Sequence, residues 1–224
     1  MIFSWPSLRT IAALCLNCIP AISYAVSYQV TLDMRPLAAL NTPPAPFALE
    51  IQLTDGGAVV VNTVTLSNFS FGIGGGALGN ATVIGGASGN LSSTITLTDT
   101  AFFNEFIQGF TPSSTAPLSF NLDLTTNIES TTPDGFSLAI FDSSGTGIPT
   151  RFFDVFIQID IANPLGINTY ASDASVAPPG CPTCAPIVIG APTLSSATVP
   201  IPTPLALFVS GISPLLYLVG KKSR

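Results

Sequence analysis

The sequence of 224 residues has no histidine, few lysines and few charges of any kind, since only 8% of its residues are charged. Its two lysines stand among the last four residues. The absence of histidine excludes Ser-His and Cys-His pairs, and the absence of lysine from the rest of the chain excludes a lysine base or Schiff base. Without these two residue types, most mechanisms of acid-base and nucleophilic catalysis are excluded.

Paired carboxylates are the catalytic arrangement that this composition still permits. Glycoside hydrolysis needs two of them, and the candidates are Asp134, Asp142, Asp154 and Asp160. Acidic residues at strand ends and on exposed faces are far more often solvated. We therefore expect the protein not to be an enzyme.

Positive charge is scarce in the central stretch, Val26 to Thr198. All twelve acidic residues lie there against two arginines, Arg35 and Arg151, which gives a formal charge of −10. Nucleic-acid binding needs a basic surface that neutralises phosphates, so nucleic acid is excluded as a partner. No cofactor is expected. A calcium ion held by aspartates and backbone oxygens stays open, although no EF-hand spacing is present.

A signal peptide is predicted at the N-terminus, over residues 1–25. Arg9 is followed by an apolar segment from Ile11 to Leu16 and then by Ser23-Tyr24-Ala25, whose small first and third residues suit signal peptidase. We expect cleavage after Ala25. The alternative is an uncleaved membrane anchor, for which the apolar segment is short.

Residues 26–170 are predicted to form an all-β domain. Apolar residues recur at every second position in segments such as Phe47–Leu53, Phe120–Leu124 and Val155–Ile161. This is the period of half-buried strands. Short strands separated by Gly, Pro, Asn and Asp indicate an antiparallel, jelly-roll-like β-sandwich.

Three segments depart from this alternation. In TVTLSNFSFG the buried parity shifts near Ser67 and Asn68, which indicates a β-bulge. In AFFNEFIQGF, residues 101–110, the apolar residues have helical spacing and predict one short helix. Residues 71–90 contain eight glycines and predict a long mobile loop or a loosely ordered hairpin. Residues 74–79 match G-x-G-x-x-G, but a second glycine-rich segment follows them instead of the helix that a dinucleotide site requires.

Residues 171–198 are rich in proline and serine and are predicted to form a stalk. They contain Cys181-Pro182-Thr183-Cys184. The flanking prolines disfavour the helix that a redox C-x-x-C requires, and no histidine or further cysteine follows residue 25 to complete a metal site. The motif predicts a local disulfide between Cys181 and Cys184 in an oxidising compartment.

The last segment, residues 199–224, has the composition of a transmembrane helix with a basic end. From Val199 to Gly220 it has 22 uncharged residues, and Lys221, Lys222 and Arg224 follow. About 20 apolar residues span a bilayer as a helix. The positive-inside rule would keep the three charges in the cytoplasm and the acidic domain outside. A GPI signal would end apolar, whereas this chain ends KKSR.

The motif Val199-Pro200-Ile201-Pro202, the apolar run and the basic end together resemble the PEP-CTERM sorting signal of exported Gram-negative bacterial proteins. The tail is similar to the variant in which V-P-x-P is followed by L-F-x-S-G, here Leu207 to Gly211. The prevalent form has Glu where this chain has Ile201. LSNFSFGIGGG at 66–76 and TLTDTAFFNEFIQGFTP at 96–112 also resemble a recurrent extracellular domain of such proteins, to which no activity is attached.

The resemblance implies export and tethering to the inner membrane by the C-terminal helix, with the domain facing the periplasm. An exosortase-like membrane protease would then cleave the tail and transfer the protein to the cell surface or the extracellular space. The resemblance also suggests exopolysaccharide as a partner and a link to biofilm. We therefore expect a non-enzymatic surface or matrix protein. The alternative is a carbohydrate-binding β-sandwich, which exposed Trp or Tyr would favour, and the domain offers only Tyr28 and Tyr170.

Overall fold

A computed structural model gives the fold and describes residues 25–40, 46–57, 61–127, 132–162, 164–178 and 180–197. These residues form twelve strands and one four-residue helix, α1 (Arg35–Ala38). The strands, in chain order, are β1 (Ala25–Leu32), β2 (Phe47–Thr54), β3 (Thr63–Ser70), β4 (Gly76–Ile84), β5 (Ala87–Gly89), β6 (Ile95–Thr98), β7 (Phe103–Thr111), β8 (Leu118–Thr125), β9 (Asp134–Phe141), β10 (Val155–Ile161), β11 (Gly166–Thr169) and β12 (Thr193–Ser196).

The strands form two six-stranded sheets. The first sheet has the order β12-β1-β8-β3-β6-β5, and the second has the order β11-β10-β9-β2-β7-β4. Every strand pair is antiparallel. The two sheets bury their inner faces in one hydrophobic core. The predicted all-β antiparallel sandwich is confirmed.

Alternation along the central strands builds this core. In β2 the residues Phe47, Leu49, Ile51 and Leu53 are buried, while the residues between them are half-buried on the outer face. The strand β8 has the same pattern, and its buried apolar residues belong to the same core. Aliphatic and aromatic side chains on two facing sheets remove most of their surface from water, which is the main stabilising contribution to such a fold.

The predicted β-bulge near Ser67 and Asn68 is confirmed. The pairing of β3 with β8 shifts between Ser67 and Ser70, and Asn68 has a φ of 56°. Asparagine tolerates the left-handed region better than most residues. The extra residue restores the inward direction of the chain, so that Phe69 packs on Phe120 with ring centroids 5.3 Å apart.

The predicted helix over residues 101–110 is wrong, because residues 103–110 belong to strand β7. Its buried positions include two amides, Asn104 at 0% exposure and Gln108 at 4%, beside Phe106 and Phe110. The Asn104 Oδ1 accepts from the Gly86 backbone N–H at 2.8 Å, and its Nδ2 donates to the Leu53 carbonyl at 3.1 Å. Polar residues at inward positions concealed the two-residue period. The one helix of the described residues, α1, begins at a different place.

The glycine-rich segment 71–90 is also more ordered than the sequence predicts. It contains β4, which pairs with β7 in the second sheet, and β5, which pairs with β6 in the first. The two strands therefore do not form a hairpin with each other. Glycine is required at Gly89, where φ is +101° and a Cβ would lie 2.0 Å from the Thr94 carbonyl oxygen.

The described part of the predicted stalk (residues 171–198) contributes to the sandwich instead of leaving it. Ile187 and Ile189 belong to the core, and β12 pairs with β1 at the edge of the first sheet. The Ser172 Oγ donates to the Ile187 carbonyl at 2.6 Å, and the Ala197 N–H donates to the Ser27 carbonyl at 2.8 Å. The predicted boundary at residue 170 is corrected accordingly. Two buried isoleucines and backbone hydrogen bonds to β1 fix this segment to the sandwich. Its high proline and serine content gives no indication of these contacts.

Among the described residues, no helix is long and apolar enough to cross a membrane. The predicted signal peptide, apart from Ala25, and the predicted transmembrane tail lie outside the described residues.

Candidate functional site

Three aspartates meet at one end of the sandwich. Asp55 follows β2, Asp99 follows β6 and Asp134 begins β9. Because antiparallel neighbours alternate in direction, the end of β2 and the start of β9 lie together in the second sheet, and the first sheet brings the end of β6 to the same place. One carboxylate oxygen of each aspartate lies within 4.8 Å of the other two.

Asp134 is held firmly by hydrogen bonds. Its Oδ1 accepts from the Gly56 N–H at 2.8 Å, and its Oδ2 accepts from the Asn62 Nδ2 at 2.7 Å. Asn62 is itself 2% exposed, and its Oδ1 accepts from the Asn127 N–H at 2.9 Å. This network connects the two sheets at the cluster. It fixes the position of the Asp134 carboxylate.

Asp99 has a different environment. Its side chain is 8% exposed, and its Oδ1 is buried without a hydrogen-bond partner. The Asp99 backbone N–H donates to the Asn62 carbonyl at 3.0 Å, which fixes the chain at this point. Burial raises the pKa of Asp99 to about 6, and the charges of Asp134 and Asp55 together with a side-chain hydrogen bond to Asp134 add to the increase. This carboxylate is therefore ionised at neutral pH at some cost to the fold.

No cationic side chain of the described residues compensates the cluster. Only Arg35 and Arg151 are cationic in the described ranges. Arg35 forms the one ion pair found there, with Asp33 at 2.6 Å, and the charge of Arg151 acts on Asp173, whose pKa is lowered mainly by hydrogen bonds from Ser175. The three aspartates thus carry negative charge without a protein partner of opposite sign.

A groove of about 390 Å³ lies beside the cluster, on the outer face of the second sheet. Its lining includes Thr54, Asp55, Phe102, Ser137, Phe152 and Gln158. Phe102 is 62% exposed and Phe152 is 37% exposed. The Phe152 ring stacks on Tyr170 at 4.9 Å, which limits its motion. Exposed aromatic faces beside polar side chains are typical of sites that bind sugars or other amphipathic ligands.

A second pair of acidic residues lies on the outer face of the same sheet. Glu50 on β2 is diagonal to Glu105 on β7, since Gln52 pairs with Glu105 and Glu50 pairs with Ile107. Burial raises the pKa of Glu50 to about 7, and the hydrogen bond to Glu105 and its negative charge contribute to the increase. Glu50 therefore keeps its proton up to near-neutral pH, where an ordinary glutamate has already lost it.

The four aspartates predicted as candidates for carboxylate catalysis do not act as one group. Asp134 joins the cluster. Asp142 accepts from the Gly180 N–H at 2.6 Å; burial alone would raise its pKa, but hydrogen bonds from Ser144, Gly180 and Thr146 lower it. Asp154 has a φ of 64° in the turn before β10, and Asp160 lies on the outer face of that strand. Their contacts give Asp134 and Asp142 structural roles as hydrogen-bond acceptors.

The other predicted site residues are not part of the cluster or lie outside the described residues. Ala25, the predicted cleavage position, is the first residue of β1 and pairs with Thr125, so cleavage after it would leave the rest of β1 in place. Cys181 and Cys184 are joined by a disulfide. The sorting-signal residues Val199, Pro200, Ile201, Pro202, Lys221, Lys222 and Arg224 are not among the residues that the structure describes.

Sequence reasoning missed Asp55, Asp99 and the Glu50–Glu105 pair. Asp55 and Asp99 each follow a strand directly, which is a usable signal, but a sequence does not show that these two strand ends meet. Glu50 and Glu105 each occupy an ordinary outward position. Only the register of β2 and β7 brings them together.

The chain matches no family model, and neither the curated proteins nor the solved structures include a significant match to it. The class of protein that the structure defines is therefore a two-sheet β-sandwich with an acidic cluster and an aromatic groove at one end.

Proposed function

We propose that the protein is an exported, non-enzymatic surface or matrix protein, sorted by a PEP-CTERM-like tail. The tail motif Val199 to Pro202 and the terminal Lys221, Lys222 and Arg224 support this proposal through their resemblance to that signal. An exosortase-like membrane protease is the partner that such a tail requires. The β-sandwich and the disulfide Cys181–Cys184 suit an extracellular domain. In the first sheet β1, β8, β3 and β6 are neighbours in that order, as in a jelly roll, and this order supports a jelly-roll-like arrangement of the sandwich.

The observation that carries the proposal is the combination of V-P-I-P, an uncharged run of 22 residues and a basic end. The test is the mass and the membrane fraction of the protein purified from its native host. A mature form beginning at Val26 and ending near Pro200 is the expected result. A form that keeps Arg224 in the membrane would contradict exosortase-type processing and leave a tail-anchored domain facing the periplasm.

A carbohydrate-binding module is the second candidate, and the groove favours it. Two exposed aromatic rings, Phe102 and Phe152, line the groove together with the polar residues Ser137 and Gln158. Sugars bind such surfaces by stacking their C–H faces on a ring and by hydrogen bonding through their hydroxyls. Exopolysaccharide outside the cell would be the natural ligand class.

The test is a glycan array probed with the full-length chain, followed by titration of the best ligand. We expect a Kd below ~100 μM, and Phe102→Ala should weaken binding about tenfold or more. Ile73→Ala is the matched control, because Ile73 is 85% exposed and does not line the groove. No binding by the array, or an equal loss with both variants, would contradict this role.

A further inference from the structure

We propose that Asp55, Asp99 and Asp134 form a binding site for a Ca²⁺ ion. Each aspartate offers one oxygen, and the three oxygens lie within 4.8 Å of one another. Calcium binds 6–8 oxygen ligands at 2.3–2.6 Å, so two ligands on opposite sides of the ion are about 5 Å apart. One ion can therefore contact all three carboxylates without a change in the fold.

The unpartnered oxygen of Asp99 supports the site independently of the cluster itself. Asp99 is more than nine-tenths buried, and its Oδ1 has no hydrogen-bond donor. A buried charged oxygen without a partner is strongly disfavoured. Asp134 in the same cluster has a donor on each oxygen, so the omission at Asp99 is specific. A cation supplies the interaction that the protein does not provide.

The charge around the cluster points in the same direction. The described residues include two arginines, and neither forms an ion pair with the three aspartates. Each carboxylate oxygen has two lone pairs, so the Asp134 oxygens can bind a cation while they accept from Gly56 and Asn62. Three carboxylates held this close together disfavour one another's charge, and a divalent ion among them replaces that repulsion with attraction.

The ligand set selects calcium over other metals. All three ligands are carboxylate oxygens, which suit hard cations, and histidine or cysteine is absent from the cluster. Magnesium demands near-ideal octahedral geometry at 2.0–2.1 Å and usually keeps several of its waters, so a largely buried cluster of three carboxylates suits the more flexible coordination of calcium better. Asp55 is only half-buried and also lines the groove, so it provides the route by which the ion enters.

The experiment uses the purified full-length chain in mild detergent, with thermal unfolding followed by circular dichroism and Ca²⁺ binding by calorimetry. At about 5 mM Ca²⁺ we expect the midpoint of unfolding to rise by about 5 °C relative to EDTA with NaCl of equal ionic strength. Asp99→Asn should reduce Ca²⁺ affinity at least tenfold and abolish the shift. In EDTA this variant should be as stable as the wild type or more so, because it removes one of three repelling charges.

Two further variants complete the test. Asp55→Asn changes the half-buried ligand, where folding is least at risk, and should also weaken binding at least tenfold. Asp123→Asn removes an equal charge from the outer face of the first sheet, where the Asp123 carboxylate accepts from Ser27, and should leave the Ca²⁺ response unchanged. The proposal is overturned if Ca²⁺ does not shift the wild-type midpoint, if Mg²⁺ shifts it equally, or if all three variants respond like the wild type.

Discussion

Replacing Glu50 with Gln should make the protein more stable at pH 8 and leave its stability nearly unchanged at pH 4. The folded-state pKa of Glu50 is raised from 4.5 to about 7, so the folded protein holds a proton that the unfolded chain has released. Between about pH 4.5 and pH 7 the free energy of unfolding of the wild type therefore falls as the pH rises. Glutamine does not titrate and avoids this loss.

The magnitude follows from the pKa difference and from exposure. A change of 2.5 pKa units would correspond to about 3.4 kcal/mol for a fully buried group. Glu50 is only half-buried, and solvent screening reduces the expected gain to about 1–2 kcal/mol at pH 8. Urea unfolding at pH 4 and pH 8 measures the free energy of unfolding of both proteins. The contribution of Asp99 is common to both and cancels in the difference.

Glu105→Gln tests whether the pair causes the effect. This substitution removes the same repulsion from the other side, so the double variant should gain less than the sum of the two single variants. A gain at pH 8 no larger than that at pH 4 would refute the reasoning, because it would show that Glu50 is not destabilised as a carboxylate in the folded protein.

Three further substitutions test the fold. Asn104→Ala should lower the free energy of unfolding, measured by urea titration, by about 2–4 kcal/mol, because it leaves buried backbone groups unpaired. The control Asn168→Ala, at an exposed position of β11, should change this free energy by less than about 0.5 kcal/mol. Gly89→Ala should lower the free energy of unfolding, measured by thermal unfolding, by at least about 2 kcal/mol. The control Gly135→Ala should leave this free energy unchanged or raise it, because its Cβ would meet nothing within 4 Å. Cys181→Ser should lower the free energy of unfolding by no more than about 2 kcal/mol, because the disulfide closes a very short loop. A larger decrease, measured by chemical unfolding, would contradict a purely local role for the disulfide.

The sequence predicts the centre of the sandwich well and its periphery poorly. The strands β2 and β8 have strict alternation, and the bulge at Asn68 follows from a shift in that alternation. The sequence predicts a helix where β7 lies, because Asn104 and Gln108 occupy buried positions and interrupt the alternation. Their partners are backbone groups distant in sequence, and no local pattern reveals that such an amide will be satisfied.

The candidate site depends on register and on strand order. The sequence offers Asp134 as a candidate carboxylate, but its neighbours Asp55 and Asp99 reach it only because strands from both sheets meet at the same place. The sequence of a single chain shows which carboxylates are present, but it does not show the distances between them in the folded protein. The same limit applies to Glu50 and Glu105, which are neighbours only through the pairing of β2 with β7.

The edge position of β12 gives the domain a defined response to mechanical force. A load applied to the chain beyond Ala197 enters the fold where β12 meets the start of β1. Because Ala197 lies beside the start of β1, a load between these two adjacent ends opens the antiparallel pair from one side, and its hydrogen bonds break one after another. The next resistance is at Ser172, which binds the carbonyl groups of Ile187 and Ile189. Under tension the last strand therefore yields first, and the central strands of the sandwich are loaded only after a short length of chain has been released.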